Sequence, residues 1–427
     1  MITTSEDQSS ATDDRDATLR LIDWFSIERV RKANILVVGA GAIGNEVLKN
    51  LALLGVGNIF IIDRDTIELS NLTRSILYRE TDYARPKAQV AARAVRNVNP
   101  HVKARWKRGD LRFDLGLGLI KRMDVVIAGL DNVAARDKIY RLCLTAGRPW
   151  VDAGIGVLDG QVCVYSHEYG ACYECYYSAE QLQRLQKSCE VIASRYEKEG
   201  KVATTPTIAS IVAGVQVQEA LKLLDVDSWK DRTLISREFY FNGTYGEVMI
   251  NNLVRNQSCR RHFTVDPNLV IEMKKVSAYT TSVRELLDQV EEVLGAPASV
   301  GLNYDLAVEM PCDCSNARLL LRPVEALFKE DLKCENCGWQ PERRTALKTR
   351  NTLDRNLINK YPEAIGEAKL IDIGIPALDI MRVNAEANPS AQKKRKSGNK
   401  FKDGQANVER FIELTGDVRP DFYFDEA

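Results

Sequence analysis

Short apolar runs alternate with amphipathic stretches through the first half of the chain, and that rhythm predicts strands joined by helices. Ile35 to Val38 (ILVV) and Asn58 to Ile62 (NIFII) are rich in β-branched residues. Between them Val47, Leu48, Leu51 and Leu54 recur at helical spacing from Glu46 to Leu54. Asp124 to Leu130 (DVVIAGL) reads as another buried strand, and Thr207 to Leu224 (TIASIVAGVQVQEALKLL) as a long helix. Strands apolar on both faces and separated by helices belong to a parallel sheet. The expected fold class is therefore α/β, a doubly wound, Rossmann-like, mostly parallel sheet. Further on, Thr281 to Leu294 is an amphipathic helix with Val283, Leu286, Leu287, Val290 and Val293 on one side. LAVEM, Leu370 to Val383 and Phe411 to Gly416 read as strands. These elements predict a first domain over residues 18–265 and a smaller α+β C-terminal domain over residues 275–427, with the break near residues 263–275. The first 17 residues are polar and acidic and predict a disordered tail.

The turn between the first strand and its helix reads Gly39-Ala-Gly41-Ala-Ile-Gly44. Gly39 permits the turn, Gly41 lets a phosphate approach the backbone, Gly44 lets helix and strand pack closely, and free N–H groups at the helix start attract an anion. Asp63 ends the second strand, where a carboxylate can accept hydrogen bonds from a ribose. Alone, this pattern fits a NAD-dependent oxidoreductase as well as an ATP user. Asp65, Ser70-Asn71-Leu72-Thr73-Arg74 and Arg85-Pro86-Lys87 narrow the choice, because hydride transfer has no need of so many phosphate-binding groups. Attack of a carboxylate on an α-phosphate does need them, to neutralise phosphate oxygens and stabilise a pyrophosphate leaving group. The strand from Asp124 delivers Asp131-Asn132 at its carboxyl end, and Asp131 is the candidate Mg²⁺ ligand.

The order GxGxxG, D-x-D, SNLxR, RPK and a strand ending in DN resembles the ThiF/MoeB/HesA family, the adenylating fold shared with ubiquitin-activating enzymes, over about residues 15–265. The resemblance implies that Gly39, Gly41 and Gly44 lie under the phosphates of ATP. It further implies that Asp63 binds ribose, that Asn71, Arg74 and Lys87 contact phosphate, and that Asp131 holds Mg²⁺, with Asp65 and Asn132 in the same site. The implied substrate is the C-terminal carboxylate of a small ubiquitin-like or sulfur-carrier protein, usually ending in Gly-Gly, which becomes an acyl-adenylate. A homodimer is also implied, in which an arginine of an N-terminal R-x-x-R element reaches the partner's ATP site. The corresponding region, DDRDATLRLIDWF, offers Arg15 or Arg20, neither in a clean match.

Cysteines add a second layer. Of ten, Cys143 and Cys163 sit in apolar surroundings and read as core. Cys172-Tyr-Glu-Cys175 and Cys259-Arg-Arg-His262 have the spacing of a closed tetrahedral zinc site. The resemblance implies two C-x-x-C pairs here, with His262 replacing the last cysteine. Cys312-Asp-Cys314 and Cys334-Glu-Asn-Cys337 form a candidate second zinc ribbon. Cys189 lies in a polar, charge-rich stretch (QKSCEVIASRYEKEGK) and is a candidate nucleophile. In the family a crossover loop at this place carries the cysteine that takes over the acyl group, although some relatives only adenylate. His101 and His167 read as ordinary surface or strand residues.

Composition changes little. Lys plus Arg and Asp plus Glu are 59 each, so no global field favours nucleic acid or an anionic membrane. An ATP-dependent tRNA-base dehydratase is disfavoured for that reason, and a non-enzymatic scaffold subunit by the intact set Asp63, Arg74, Lys87 and Asp131. No apolar signal opens the chain and no uncharged stretch is long enough to span a bilayer, so a cytoplasmic location is expected. Ser390 to Gln405 is basic and Gly-rich, read either as a solvated loop or as a docking patch for an acidic carrier or a downstream conjugating or sulfur-transfer protein.

Overall fold

A computed structural model describes residues 15–130, 133–168, 170–176, 204–259, 262–312, 314, 318–327, 330–339, 347–385 and 410–417. They fall into two compact units. The first comprises the described residues through Gly109 together with Lys121–Phe263; the second comprises Asp110–Ile120 and the described residues from Thr264 onward.

The first unit is built on strands β1 (Asn34–Val38), β2 (Asn58–Asp63), β3 (Lys103–Arg108), β4 (Val125–Gly129), β5 (Trp150–Ile155), β6 (Asp159–Tyr165), β7 (Arg237–Asn242) and β8 (Glu247–Asn252). They form one sheet in the order β3-β2-β1-β4-β5-β6-β7-β8. The strands from β3 to β5 pair in parallel, with Val37 facing Ile61 on one side and Ile127 on the other. Strands β6 to β8 extend the sheet antiparallel. Helices α1 (Ile27–Lys32), α2 (Ala42–Leu53), α3 (Lys87–Val98), α4 (Val133–Ala146) and α5 (Pro206–Leu223) connect or cover the strands. Helix α5 starts at an N-cap, Thr205, with Pro206 in the first turn, and buries Ile208, Val212, Ala213, Val217 and Ala220. Each large aliphatic side chain fully buried in such a layer contributes roughly 1.5–3 kcal/mol. From β1 the chain builds outward through β2 and β3, then returns to lay β4 on the other flank of β1. That reversal opens a crevice beyond the carboxyl ends of β1 and β4, where sheets of this kind bind ligands.

The second unit holds β9 (Val270–Met273), α6 (Val283–Leu294), β10 (Ala298–Met310), β11 (Arg318–Pro323), β12 (Lys348–Leu353), β13 (Ile380–Ala385) and β14 (Arg410–Leu414). The sheet order is β11-β10-β13-β14-β9, with β12 paired to β10, and only β14 and β9 run parallel. Helix α6 begins with a Ser282/Glu285 capping box, ends at Gly295 in the left-handed region, and buries Val283, Leu286, Leu287 and Val290. Among the described residues no helix is long and apolar enough to cross a membrane.

Three expectations are corrected. The polar tail is expected to run through residue 17, but Asp16 is buried and paired with Arg31, and Arg15 donates to the Val98 carbonyl at 3.0 Å. Residues 110–120 fall within the expected first domain, yet Leu117 N–H donates to Asp379 at 3.1 Å and Gly118 N–H to the Leu378 carbonyl at 2.8 Å, both in the second unit. Leu370 to Val383 is not one strand: a 3₁₀ turn at Ile371–Ile373 leads to Gly374 at φ +94°, and pairing starts only at Ile380. Pro376 lacks the N–H a ladder requires.

Glu309, on β10, is buried and bonded by Lys348 and the Tyr361 hydroxyl, which hold its carboxyl down at about 2. A depressed carboxyl stabilises the folded state above its ordinary pKa and loses that contribution as pH falls through the folded value. Glu309→Gln is therefore expected to melt below wild type at neutral pH, the two curves converging between about pH 4.5 and 2. Calorimetry of the full chain across that range checks it; parallel curves would refute the assignment.

Candidate functional site

At the carboxyl end of β1 the chain must turn at once into α2. Gly39 does so at φ +91°, and a β-carbon there would stand 2.7 Å from the Gly129 carbonyl oxygen. A β-carbon on Gly44 would stand 2.0 Å from the Gly39 carbonyl oxygen, so helix and turn touch through hydrogen alone. Gly41 differs: among the described residues nothing lies within 4 Å of where its β-carbon would be. The turn is therefore closed at both ends and open in the middle, over the N-terminus of α2, where free N–H groups favour an anion.

Two buried side chains that sequence reasoning missed fasten this turn. Asn45 is fully buried; its amide donates to the carbonyls of Ala40 at 2.7 Å and Gly41 at 3.1 Å, and its oxygen accepts from Leu77 N–H at 2.9 Å. The Tyr78 hydroxyl donates to the same Ala40 carbonyl at 2.5 Å, and burial raises its pKa well above the ordinary range. Both therefore hold carbonyls of the turn. A lone asparagine on an apolar helix face, directly after the last glycine, was the available signal.

Asp63 ends β2, and its carboxylate accepts from the N–H groups of Ala40 and Asp65, each at 2.7 Å. Burial raises its pKa, opposed by the nearby Lys87. Lys87 opens α3, is largely buried, and reaches Asp65 at 3.1 Å. Asn71 accepts from Glu68 N–H at 3.0 Å through its side-chain oxygen, and Arg74 donates to the Ser70 carbonyl at 2.9 Å. Lys87 is thus linked to the glycine turn through Asp65 and Asp63, while Leu77 and Tyr78, a few residues after Arg74, bond to Asn45 and to the Ala40 carbonyl.

Asp131, Asn132 and Cys189 lie outside the described residues. The end of β4, from which Asp131 follows, is held by two further groups that sequence reasoning missed. Arg136 donates to the carbonyls of Leu130 and Ala153, each at 2.8 Å, and Gln216 on α5 donates to those of Ala128 at 2.9 Å and Val151 at 3.2 Å. Asp152, buried within β5, lies 3.6 Å from Arg136; burial pushes it up to about 6, and Arg136 limits the rise. A carboxylate inside the apolar run WVDAGI was the sign that a buried cation faces it.

Each cysteine cluster converges. Cys172 Sγ lies 3.4 Å from Cys175 Sγ and 3.7 Å from Cys259 Sγ, and Cys175 Sγ lies 3.2 Å from His262 Nε2. In the second unit Cys312 is 3.2 Å from Cys314 and 3.3 Å from Cys337, and Cys314 is 3.7 Å from Cys334. Within each group all four ligand atoms lie within 4.8 Å of one another. Backbone N–H groups of Cys337 and Asn336 pull the Cys334 thiol down to about 6, toward the thiolate a metal requires. Cys143 and Cys163 are buried among apolar side chains, which pushes the Cys163 thiol up to about 12 and Cys143 higher still.

SUMO-activating enzyme subunit 2 of Dictyostelium discoideum is 40% identical over 158 residues, 37% of this chain and 24% of that protein. The sulfur carrier protein adenylyltransferase of Thermus thermophilus is 31% identical over 202 residues, 46% of this chain and 71% of that protein. The chain thus spans about a quarter of the first relative's length and most of the second's. Among solved structures, E. coli MccB covers 60% of this chain and 75% of its own at 21% identity, with a TM-score of 0.49. The ThiF family pattern matches residues 14–261, more than half of the sequence, and the chain belongs to that family.

Proposed function

We propose that the chain is an ATP-dependent activating enzyme that adenylates the C-terminal glycine carboxylate of a ubiquitin-like or sulfur-carrier protein. One observation carries this reading: an open glycine turn at the switch point of the sheet, with Lys87 linked to it through Asp65 and Asp63. In the reaction a carboxylate oxygen of the carrier attacks the α-phosphorus of ATP, the bond to the β-phosphate oxygen breaks, and pyrophosphate leaves with the electron pair. The carrier supplies the nucleophile already ionised, so no protein base is needed. The protein's work is positioning and charge. Backbone N–H groups around Gly41 cradle phosphate, Arg74 and Lys87 offset the charge that builds on the leaving group, and Asp63 fixes the turn while its remaining lone pairs receive the ribose. Asp131 is the proposed Mg²⁺ ligand, and Cys189 the proposed acceptor of the acyl group, its sulfur displacing AMP to give a thioester. Zinc would be held by Cys172, Cys175, Cys259 and His262, and a second ion by Cys312, Cys314, Cys334 and Cys337. The Cys172–Cys259 and Cys314–Cys334 separations of 3.7 Å match tetrahedral ligands about 2.3 Å from a common centre, while the other sulfur pairs, at 3.2–3.4 Å, would open slightly around an ion. A cytoplasmic homodimer belongs to the same reading.

ATP–pyrophosphate exchange with purified protein and a Gly-ending carrier tests the proposal. Exchange that ignores the carrier, or none with any such carrier, would overturn it. Gly41→Ala gives a sharper check of the turn. Its β-carbon meets nothing among the described residues, so the melting temperature should hold, while the KM for ATP rises by about tenfold or more because the methyl group stands where phosphate approaches. Gly44→Ala should lower both stability and exchange. Equal effects of the two substitutions would contradict the open-turn assignment.

A further inference from the structure

The opposite edge of the same sheet carries a second cleft, of about 460 Å³. Asn34 opens β1, Asp124 immediately precedes β4 and Pro149 immediately precedes β5; all three line it, so it lies at the amino ends of the parallel strands, away from the glycine turn. Two carboxylates also line it, each with one partner residue among the described residues. Asp124 accepts from Asn34 N–H at 2.8 Å, and Glu168 lies 3.5 Å from His167 Nε2. Arg29 on α1 is paired with Asp225.

Several polar groups remain uncommitted among the described residues. Arg148 spends only Nε, on the Lys121 carbonyl at 2.8 Å, leaving both terminal nitrogens of its fork. Lys32, at the exposed end of α1, and the Ser166 hydroxyl also line the cleft without a partner. Leu223, Leu224 and Val226, from the end of α5 and just beyond, supply an apolar wall. A guanidinium fork, an ammonium and a hydroxyl beside apolar carbon make a receptor for an oxyanion on a small organic body, and the volume falls within the range of small-molecule sites.

We propose that this cleft is a second ligand site, separate from the nucleotide site, for a compact organic phosphate or carboxylate held by Arg148 and Lys32. The reading does not depend on the adenylation proposal. Titration calorimetry of the full chain with phenyl phosphate and with phenylacetate, against phenol as the uncharged control, tests it. Saturable binding of at least one anion, one per chain, is expected, and whichever binds more tightly identifies the head group. Lys32→Glu, on an exposed side chain that leaves the fold intact, and Arg148→Lys, which keeps the charge and loses the fork, should each weaken binding by about tenfold or more. Lys87→Ala should leave it unchanged. The proposal is overturned if neither anion saturates, if phenol binds equally, if Lys32→Glu binds as wild type, or if Lys87→Ala abolishes binding and so assigns it to the nucleotide site.

Discussion

Alanine at Lys87 is expected to lower carrier-dependent ATP–pyrophosphate exchange by about 100- to 1,000-fold, the usual loss when one preorganised charge donor is removed from a low-dielectric site. The fold should survive, because Lys87 anchors no core: its ammonium meets Asp65, which is half exposed, at the first turn of α3. What changes is the field on Asp63. Lys87 opposes the burial that raises that carboxyl, so its removal pushes Asp63 further up, at the residue that clasps Ala40 N–H and the glycine turn. Turn geometry and phosphate charge are therefore both affected. Lys87→Arg should not rescue, since a planar fork cannot occupy the place of a compact ammonium already 3.1 Å from Asp65. Arg74→Ala should lower exchange comparably, and the double variant should fall short of the product of the single losses, because both cations serve one developing charge. Full exchange by a folded Lys87→Ala protein would remove the main support for the activating-enzyme reading.

The parts of this site legible in the sequence are those encoded locally. Apolar runs place β1, β2 and β4, and a glycine turn or a carboxylate at the end of each follows directly in the chain. Less legible are groups whose partners are backbone carbonyls brought near by tertiary structure. Asn45 and Tyr78 meet on Ala40 although 33 residues separate them in the sequence, and Gln216 reaches Ala128 across 88. No periodicity announces such a pair. The unit boundary failed for the same reason: residues 110–120 are contiguous with β3, but the groups that bond them, Leu378 and Asp379, lie about 260 positions away. Leu370 to Val383 misled differently, since its apolar content is real and buried while Gly374 and Pro376 prevent the ladder.

Stripping zinc is expected to have the other large effect, with two ions per chain by elemental analysis and a steep loss of melting temperature in a strong chelator. In the first cluster Cys172 and Cys175 must meet Cys259 and His262 across 87 residues, so the metal closes a long loop whose entropy the bare contacts do not offset. In the second, the cysteines cap a small core of Ala307, Met310, Leu327, Leu332 and Leu347, too few buried side chains to hold a ribbon unaided. The two sites are separable by substitution. Cys259→Ser should lose one zinc and destabilise the first unit, whereas His262→Cys should retain it, because thiolate and imidazole are interchangeable in a closed tetrahedral site. Cys334→Ser should lose the other zinc and unfold the ribbon while exchange activity persists, because its ligands belong to the second unit and the nucleotide site to the first. Protein that purifies without zinc and melts identically with and without chelator would refute both sites; loss of both ions from Cys334→Ser alone would refute their independence.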